Sequence, residues 1–427
     1  MKDVAIIGAG LAGLNCALTL QKASLDIVVL EASDAPGGRI RTDNVDGFLL
    51  DRGFQVLLTA YPEAQKVLDY SALNLQQLKP GALVWKGGRF HRFADPFREP
   101  LAALGLALDP IVSLGDKFRV ARLRAQVQTG SIPVLFTREE TTTRTFLRNF
   151  GFSSAMIETF FEPFFGGVFL EKELATSSRY FEFLFRMFSA GAVAVPAKGM
   201  QAIPQQLAGR LAPGTLLLKN RVSQVTSTNP GFSITIEDRP AVAARCLVIA
   251  TEEPEASRLQ LSLNLAQNQI SLRRWNSTIA FYFAADQPPV SEPILILNGE
   301  GSSAGPVNNA VVMSQVSASY APAGAHLISA SVVGSDAANG VRPNLEADVR
   351  DHLEKWFGAQ VQQWRSLGSR FVPKALPLQK TAAWECGQNA SGIESVFFCG
   401  DFLETSSIQG SLASGRRAAQ AVLDSRK

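Results

Sequence analysis

Histidine and paired cysteine are scarce in this sequence of 427 residues. Only three histidines are present, so the side chain that most often moves protons near neutral pH is nearly absent. The settings of His91, His326 and His352 predict surface or structural positions for all three. The four cysteines stand far apart and form no Cys-x-x-Cys pair, which argues against a zinc site and against a disulfide framework. No metal site is therefore predicted, and a reducing, cytoplasmic location is expected.

An excess of one charge and a long apolar run are also missing. The 41 Lys and Arg residues nearly balance the 38 Asp and Glu residues, so a net charge of +3 gives no general attraction for nucleic acid. No stretch reaches the roughly 18 uninterrupted apolar residues of a membrane span, and no signal peptide is expected. Hydrophobic residues make up 46% of the chain, and its length predicts two or three globular domains.

The first forty residues have the alternation of a dinucleotide-binding unit. A short β-branched run at residues 3–7 predicts a buried strand, a helix is predicted over 14–22, and a second strand over 26–30. The second strand ends at Glu31, where a carboxylate can accept hydrogen bonds from a ribose diol. An acid at this point disfavours a 2′-phosphate, which leaves NAD or FAD.

A glycine-rich turn joins the first strand to the helix. Gly8, Gly10 and Gly13 enclose Leu11 and Ala12 in a Gly-x-Gly-x-x-Gly pattern. The first glycine permits the tight turn, the second lets the backbone approach a pyrophosphate, and the third lets the helix pack closely on the strand. Because the turn stands between a strand and a helix, we expect phosphates to bind at the helix N-terminus.

The residues after the second strand resemble the signature of a known family. Glu31-Ala32, followed by Gly37-Gly38-Arg39, is similar to the Glu-Ala-x-x-x-x-Gly-Gly-Arg motif of the flavin-containing amine oxidase superfamily, which includes phytoene desaturases and protoporphyrinogen oxidases. The resemblance implies non-covalently bound FAD, with Glu31, Ala32, Gly38 and Arg39 among its contacts. The paired glycines let the chain pass near the diphosphate, and Arg39 offers a planar fork of donors to its oxygens.

A second stretch is similar to the family's Asp-x-Gly segment, in which the backbone passes beside the flavin ring. It begins at Asp51 and continues through Gly53, Phe54 and Gln55. The resemblance implies that the last three contact the cofactor. From the residues alone, Asp51 is equally well a carboxylate at a strand end or in a turn.

The C-terminus resembles the family again. A short strand ends in Gly400-Asp401, and a Gly-Ser-x-x-Ser-Gly segment then opens an amphipathic helix over 411–423. By this match Asp401 holds the ribityl or pyrophosphate region, and the backbone at Ile408 and Gln409, with Ser411 beside it, faces the pyrimidine edge of the flavin. A helix start suits that edge, because its free N–H groups stabilise negative charge on a reduced ring.

The middle of the chain is similar to the segment that leads these proteins back to the cofactor. Three strands are predicted within 216–225, 232–236 and 246–250, like the β-meander on the family's adenine side. On that analogy Val222 meets the adenine through its backbone, and Thr251 follows a core strand beside the cofactor.

These matches predict an α/β fold with two interleaved domains. A Rossmann-like FAD-binding domain is assembled from residues 1–85, 196–270 and 385–427. An α+β substrate domain is formed by residues 86–195 and 271–384. No second dinucleotide motif is found, so electrons are expected to pass to dioxygen, a quinone or another diffusible acceptor.

Phenylalanine is concentrated in the first insert. Twelve of the 27 Phe residues fall within 146–188, either as a helical core or as the lining of a pocket for a large apolar substrate. An apolar run at 101–112 precedes four basic residues within 117–124. That pattern suits either a helix with a solvated basic face or a peripheral contact with an anionic membrane.

The predicted function is that of an FAD-dependent oxidoreductase acting on a polyene-like or tetrapyrrole-like apolar substrate. Hydride transfer to flavin needs no histidine, and no catalytic residue is assigned. Amine oxidases of the superfamily usually place a lysine in a flavin-facing strand, and the corresponding strand here, 277–283, has none. A flavin amine oxidase remains an alternative, as does a non-redox lipid-binding protein like the Rab escort relatives. An isomerase that uses reduced flavin also stays open.

Overall fold

Two seven-stranded sheets form the framework of the protein. A computed structural model describes residues 1–94, 98, 113–263, 274–338, 340–382 and 395–426. In chain order the described strands are β1 (Lys2–Ile7), β2 (Ile27–Leu30), β3 (Thr42–Val45), β4 (Phe48–Asp51), β5 (Leu57–Leu58), β6 (Leu75–Gln77), β7 (Ala82–Lys86), β8 (Arg89–Phe93), β9 (Val193–Pro196), β10 (Leu216–Leu217), β11 (Val222–Ser227), β12 (Phe232–Ile236), β13 (Arg239–Ile249), β14 (Trp275–Ala285), β15 (Leu295–Asn298), β16 (Val307–Val312), β17 (His326–Val333), β18 (Arg365–Pro377) and β19 (Val396–Phe398).

Helices cover the sheets and form most of the first insert. The described helices of seven residues or more are Leu11–Lys22, Leu114–Gln128, Thr143–Phe150, Glu162–Phe169, Ser178–Ala190, Ala202–Ala208, Glu253–Ser262, Leu345–Phe357 and Ile408–Asp424. Shorter ones are Pro62–Val67, Tyr70–Leu73, Ile132–Leu135, Ser154–Met156, Met313–Val316 and Ser335–Ala338, and a π-helical turn spans Ile157–Phe161. Among these residues, no helix combines the length and apolar character needed to cross a bilayer.

The first sheet joins three distant parts of the chain. Its order is β10-β2-β1-β13-β12-β11, and β19 pairs with β13. β1 lies between β2 and β13, parallel to both, and β19 is parallel to β13. The interior of β1 is buried on both faces, as its β-branched run predicts. Strands β10, β2, β1, β13 and β19 are parallel, and β12 and β11 continue the sheet in antiparallel pairing. This parallel core with a helix between β1 and β2 confirms the α/β class expected from the sequence.

Two helices pack closely at the centre of this unit. The helix expected over 14–22 begins earlier, at Leu11, directly after its N-cap Gly10. A Cβ on Gly415 would lie 2.1 Å from the carbonyl oxygen of Ala12, so the C-terminal helix can approach only where a side chain is missing. The buried amide of Asn15 donates to the carbonyl of Leu412 at 2.7 Å. The helices that carry the N-terminal and C-terminal motifs are therefore packed directly against each other.

The second sheet has the order β18-β14-β17-β16-β15-β7-β8. Side chains on β14 alternate between its faces: Ile279, Phe281 and Phe283 pack toward the helix Leu345–Phe357, and Tyr282 faces the main core. Strands β15 and β16 are antiparallel neighbours, which makes their connection a hairpin. Strand β7 crosses the domain boundary predicted at residue 85 and pairs in parallel with β15.

The Phe-rich segment forms a helical cluster beside the second sheet. Phe161, Phe169, Phe181 and Phe183 are fully buried. Their rings make edge-to-face and stacked contacts, for example 4.7 Å between the centroids of Phe165 and Phe181. A hydrophobic core therefore accounts for part of the Phe excess.

Candidate active site

Residues from both sheets and from the Phe-rich helices line one cavity of about 800 Å³. This volume lies within the range of small-molecule and cofactor sites in proteins. Fifteen of the nineteen predicted cofactor residues lie on its wall: Gly8, Gly10, Leu11, Ala12, Glu31, Gly38, Arg39, Gly53, Phe54, Gln55, Thr251, Gly400, Asp401, Ile408 and Ser411.

The glycine-rich turn forms one part of the wall, and each glycine has a different reason to lack a side chain. Gly8 has a φ of +107°, which L side chains rarely adopt. A Cβ on Gly13 would lie 2.0 Å from the carbonyl oxygen of Gly8, so this glycine permits the helix to pack on the strand. A Cβ on Gly10 would meet nothing within 4 Å, because Gly10 faces the cavity. The space kept open at Gly10 lies where the sequence predicts a pyrophosphate.

Hydrogen bonds orient the Glu31 carboxylate at the cavity wall. One oxygen accepts from the backbone N–H of Ala9 at 2.7 Å. The other accepts from the N–H and the hydroxyl of Ser33 at 2.8 and 2.7 Å. Each carboxylate oxygen has two lone pairs, so the side chain can still accept from a ribose diol.

Arg39 and Asp401 form an ion pair across the cavity wall. The guanidinium Nη2 lies 2.6 Å from Asp401 Oδ1, and Nη1 donates to the carbonyl of Ala375 at 3.0 Å. The guanidinium also lies 5.3 Å from the ring centroid of Trp275. Asp401 is almost fully buried. The sequence assigns these two residues to separate parts of a cofactor, whereas the structure pairs them with each other.

Gln55 and Asp51 position the loop that follows β4. The amide of Gln55 donates to the carbonyl of Arg39 at 3.0 Å, which ties the loop to the Gly-Gly-Arg segment. A Cβ on Gly53 would lie 3.5 Å from the Thr278 methyl group, so β14 faces this loop. Thr278 lies in the strand that the family resemblance compares with the lysine-bearing strand of amine oxidases.

Asp51 itself does not line the cavity but connects the elements behind it. Its carboxylate accepts hydrogen bonds from the Thr42 hydroxyl, from the Met200 N–H at 2.9 Å and from the Tyr320 hydroxyl at 2.7 Å. The Tyr282 hydroxyl donates to its backbone carbonyl. Burial raises the pKa of the Asp51 carboxyl to about 6, although these hydrogen bonds oppose the rise. Of the two interpretations of Asp51, the structure supports a strand-end carboxylate.

The C-terminal helix Ile408–Asp424 begins at the cavity. Its N-cap is Ser407, whose hydroxyl accepts from the N–H of Gly410 at 3.1 Å. Ser407, Ile408 and Ser411 line the wall, so the positive end of the helix dipole lies beside the cavity. That end favours a ligand group on which negative charge develops.

Three buried polar atoms on the wall have no hydrogen-bond partner. They are Arg41 Nε, Gln55 Oε1 and Thr251 Oγ1. Buried donors and acceptors are normally satisfied, so such atoms indicate places where a ligand completes the network. Together with the open space at Gly10 and the oriented Glu31 carboxylate, they fit a dinucleotide such as FAD.

Four predicted cofactor residues lie outside the wall. Gly13 packs behind the turn, and Ala32 is exposed. The carbonyl of Val222 accepts from Arg258 Nη2 at 3.0 Å. The Gln409 side chain turns away and accepts from the N–H of Glu63 at 2.8 Å.

The Phe cluster divides between core and cavity. Five of the twelve clustered rings line the wall, namely Phe160, Phe164, Phe165, Phe185 and Phe188. The other seven pack in the core. The Phe excess is therefore divided between core packing and the lining of the cavity, and Phe165 contributes to both. The periodicity of the helices could not separate the two sets, because both belong to the same buried faces.

Tyr61, Tyr180 and Asn309 are among the polar residues of the wall that sequence reasoning missed. Tyr180 is buried and donates to the carbonyl of Ser406 at 2.7 Å. Burial raises the pKa of Tyr61 and Tyr180 above the usual value, so both hydroxyls stay protonated near neutral pH. The chain has only five tyrosines, and this scarcity is the signal that could have drawn attention to them.

Comparisons with known proteins add a family assignment to the geometry of the site. The profile of the family described as flavin containing amine oxidoreductase matches residues 11–423. Protoporphyrinogen oxidase 2 of Arabidopsis thaliana is 29% identical over 167 residues, which are 39% of this chain and 32% of that protein. The 15-cis-phytoene desaturase of an Oncidium hybrid cultivar is 35% identical over 100 residues, 22% of this chain and 17% of that protein. The alignments thus cover a third or less of these relatives.

A solved structure has the same fold over nearly its whole length. Cyclohexylamine oxidase from Brevibacterium oxydans superposes with a TM-score of 0.71 at 17% identity, covering 99% of each chain. That identity supports a shared fold and nothing finer. Because the family profile spans almost the entire sequence, the chain belongs to the flavin-containing amine oxidoreductase family.

Proposed function

We propose that the protein is an FAD-dependent oxidoreductase that takes a hydride from a large, mostly apolar substrate, polyene-like or tetrapyrrole-like. The observation that carries this proposal is the continuity of the cavity. A single space is lined both by the turn from Gly8 to Ala12 with Glu31 and by five rings of the Phe cluster. When bound, FAD supplies the hydride acceptor. The chain supplies binding, orientation and exclusion of water.

The proposed cofactor contacts follow from the wall. The Glu31 carboxylate accepts from the adenosine ribose, and the N-terminus of the helix Leu11–Lys22 faces the diphosphate. The N-terminus of the helix Ile408–Asp424 faces the flavin ring. Val222 and Ala32 remain predicted contacts, which a ligand reaching beyond the present wall would have to make.

Non-covalent attachment of FAD is part of the proposal. Cysteine and histidine are the commonest side chains in covalent links to flavin, and none of the residues on the described wall is Cys or His. Burial keeps the hydroxyls of Tyr61 and Tyr180 protonated, which lowers their nucleophilicity. Cys16, Cys246 and Cys399 are buried away from it. Cys386 lies outside the described residues.

The Phe-lined side suits an apolar substrate. The rings exclude water from the space beside the loop at residues 53–55, and polar contacts made in a dry space are stronger. Asn309, Tyr180 and Thr278 are neutral polar residues of the same wall. They can orient a substrate by hydrogen bonds without supplying charge.

We also propose the interleaved division into residues 1–85, 196–270 and 385–427 for the cofactor and 86–195 and 271–384 for the substrate. The two sheets support it, except that β7 belongs by its pairing to the substrate side. Dioxygen or a quinone is the proposed electron acceptor, and the cytoplasm the proposed location. A peripheral membrane contact remains a proposal as well. The apolar run 101–112 on which it depends lies outside the described residues.

An amine substrate is the second candidate, since the family takes its name from amine oxidation. The residue at the flavin-facing strand argues against it here. Thr278 stands in that strand, and its hydroxyl donates to the carbonyl of Val332 at 3.2 Å. The strand therefore presents a methyl group, and no lysine, to the loop at Gly53.

Anaerobic flavin reduction tests the proposal. The purified protein is loaded with FAD, and the flavin absorbance is followed on adding a polyene, a porphyrinogen or an aliphatic amine. Bleaching by the polyene or porphyrinogen is the expected result. Bleaching by amines alone would replace the preferred substrate class. A protein that retains no FAD after gel filtration would overturn the proposed function, and acid release of free FAD from the loaded protein would confirm non-covalent binding.

A further inference from the structure

Two consecutive asparagines interrupt an apolar strand beside the Phe rings of the cavity. All six residues of β16 are buried, and Asn308 and Asn309 within it are 4% and 3% exposed. Asn309 lines the cavity, as does Leu297, which pairs with it on β15. Burying an amide group costs free energy unless its hydrogen bonds are made inside the protein. These two residues, which we call the Asn pair, therefore need a physical reason to be there.

A register shift in β16 lets both amides face the same helix. Successive side chains of a regular strand point to opposite faces of the sheet. The pairing of β16 with β17 shifts between Val307 and Asn309, as it does at a β-bulge. A Cβ on Gly167 would lie 3.0 Å from Asn308 Nδ2 and 3.1 Å from Asn309 Oδ1, so both amides reach the helix Glu162–Phe169. Such shifts commonly redirect a side chain next to a functional site.

The helix Glu162–Phe169 leaves room for the Asn pair. It has glycine at two consecutive positions, Gly166 and Gly167, although glycine in a helix interior is less favourable than alanine. Gly167 lines the cavity together with Phe164 of the same helix. The helix directly follows the π-helical turn Ile157–Phe161, a geometry often found at functional sites. Strand and helix therefore both depart from regular structure where the Asn pair meets the cavity.

A structural role explains Asn308 but not Asn309. Asn308 Nδ2 donates to the carbonyl of Pro163 at 2.9 Å, which ties β16 to the helix. The same nitrogen donates to Asn309 Oδ1 at 3.0 Å and so orients the second amide. Within the described residues, Asn309 Nδ2 makes one long contact, at 3.4 Å to Ser331 Oγ. Because a side-chain amide has two N–H donors, Asn309 keeps hydrogen-bonding capacity at the cavity wall.

We propose that Asn309 recognises a neutral oxygen, of a carbonyl or a hydroxyl group, on the otherwise apolar substrate. This inference rests on the proposed function and specifies the substrate class. Asn309 Nδ2 donates to that oxygen, while the Phe rings of the wall contact the hydrocarbon body. A hydrocarbon without the oxygen leaves the buried amide unpaired, so the site discriminates against it.

Equilibrium dialysis of the FAD-loaded protein with farnesol and farnesene tests the proposal. The two probes have the same number of carbon atoms, and farnesol carries one hydroxyl group that farnesene lacks. The ratio of their dissociation constants is measured in the wild type and in Asn309→Leu. We expect the variant to lose roughly tenfold in affinity for farnesol relative to farnesene, because one hydrogen bond to the ligand is lost.

The ratio cancels any change in cavity volume, since such a change affects both probes alike. Farnesal, which carries a carbonyl in place of the hydroxyl, is measured against farnesene in the same way. The oxygenated probe with the larger loss in Asn309→Leu identifies the group that the amide prefers.

Stability separates recognition from a purely structural role. Asn298→Leu is the matched control, because Asn298 is similarly buried, lies in the neighbouring strand β15 and is not on the cavity wall. Its amide closes a turn by bonds with the carbonyl of Gly301 and the N–H of Glu300. The control should therefore be less stable in urea and keep the wild-type ratio. Asn309→Leu should lose less stability than the control and still change the ratio.

Gly167→Ala disturbs the Asn pair without replacing either member. The added Cβ would approach both amides closely, so they must move, whereas alanine favours the helix. We expect a folded protein in which the farnesol-to-farnesene preference falls by about threefold.

The possible failures are distinguishable. An unchanged ratio in folded Asn309→Leu overturns the recognition proposal and leaves the oxidoreductase proposal standing. Should that variant not fold, an unchanged ratio in Gly167→Ala has the same meaning, as does a wild-type protein that binds neither probe. A wild-type protein that cannot be loaded with FAD overturns the proposed function instead.

Discussion

Replacement of Asp51 by Asn should change the dependence of stability on pH. Asp51 is only 4% exposed, and burial raises its pKa from 3.8 to about 6. The folded protein therefore holds this proton more tightly than the unfolded chain. Below the unfolded pKa both states are protonated; as pH rises through the interval up to the folded pKa, the unfolded state ionises first and stability falls. A difference of roughly two pKa units corresponds to about 3 kcal/mol of lost stability.

Urea unfolding of the wild type and of Asp51→Asn, from about pH 4 to about pH 7.5, measures this loss. All other titrating groups are shared, so they cancel in the difference between the two free energies of unfolding. We expect that difference to shift by about 3 kcal/mol in favour of the variant as pH rises. Tyr320→Phe removes a donor to the carboxylate and raises the Asp51 pKa further, so the decline should be larger and extend to higher pH. Parallel curves for wild type and Asp51→Asn would refute the reasoning.

Three further predictions concern the wall and the core. Gly13→Ala should destabilise the protein by about 1–3 kcal/mol, because its Cβ would meet the Gly8 carbonyl. Gly10→Ala should leave the melting temperature of the flavin-free protein unchanged and lower its FAD content. Equal melting temperatures for the two variants would contradict this prediction. Thr251→Val removes an unpartnered hydroxyl, so the stability of the protein should not change. FAD binding, measured by fluorescence titration, should weaken roughly fivefold. Unchanged affinity would show that FAD does not use this hydroxyl. Phe181→Ala should lower the free energy of unfolding, measured by chemical denaturation, by about 3–5 kcal/mol. Phe188→Ala should lower it less and instead raise the KM for the substrate. Similar losses of stability in the two variants would place both rings in the core.

Local patterns in the sequence predict the cofactor motif well. The turn from Gly8 to Gly13 and the acid Glu31 are specified by a strand, a helix and a strand that follow one another directly. Their backbone conformation is determined within about thirty residues, so composition and spacing suffice. Family resemblance extended this to Asp401 and Ile408, and the structure brings both to the same cavity.

Contacts between distant segments could not be predicted in this way. The pairing of Arg39 with Asp401 joins residues 362 positions apart, and the bond from Tyr180 to Ser406 joins two predicted domains. The orientation of Gln409 depends on Glu63, which no local pattern connects with it. Helix packing also decides which Phe rings face the cavity. Hydrophobic periodicity shows which face of a helix is buried but does not show what that face is buried against.

The parallel pairing of β13 with β19 has a consequence for synthesis on the ribosome. β13 ends at Ile249, and its neighbour β19 begins at Val396. Almost 150 further residues must therefore be synthesised before the end of β13 can pair with β19. At ordinary translation speeds this takes on the order of 10–30 s. Until then Leu247, Val248 and Ile249 lack their partners on one side of the sheet, although β1 can already pair with them on the other. Unpaired strand edges of this kind are places where misassembly begins. Strand β19 therefore completes the pairing of a sheet that begins at Lys2 only after almost all of the intervening chain has been made.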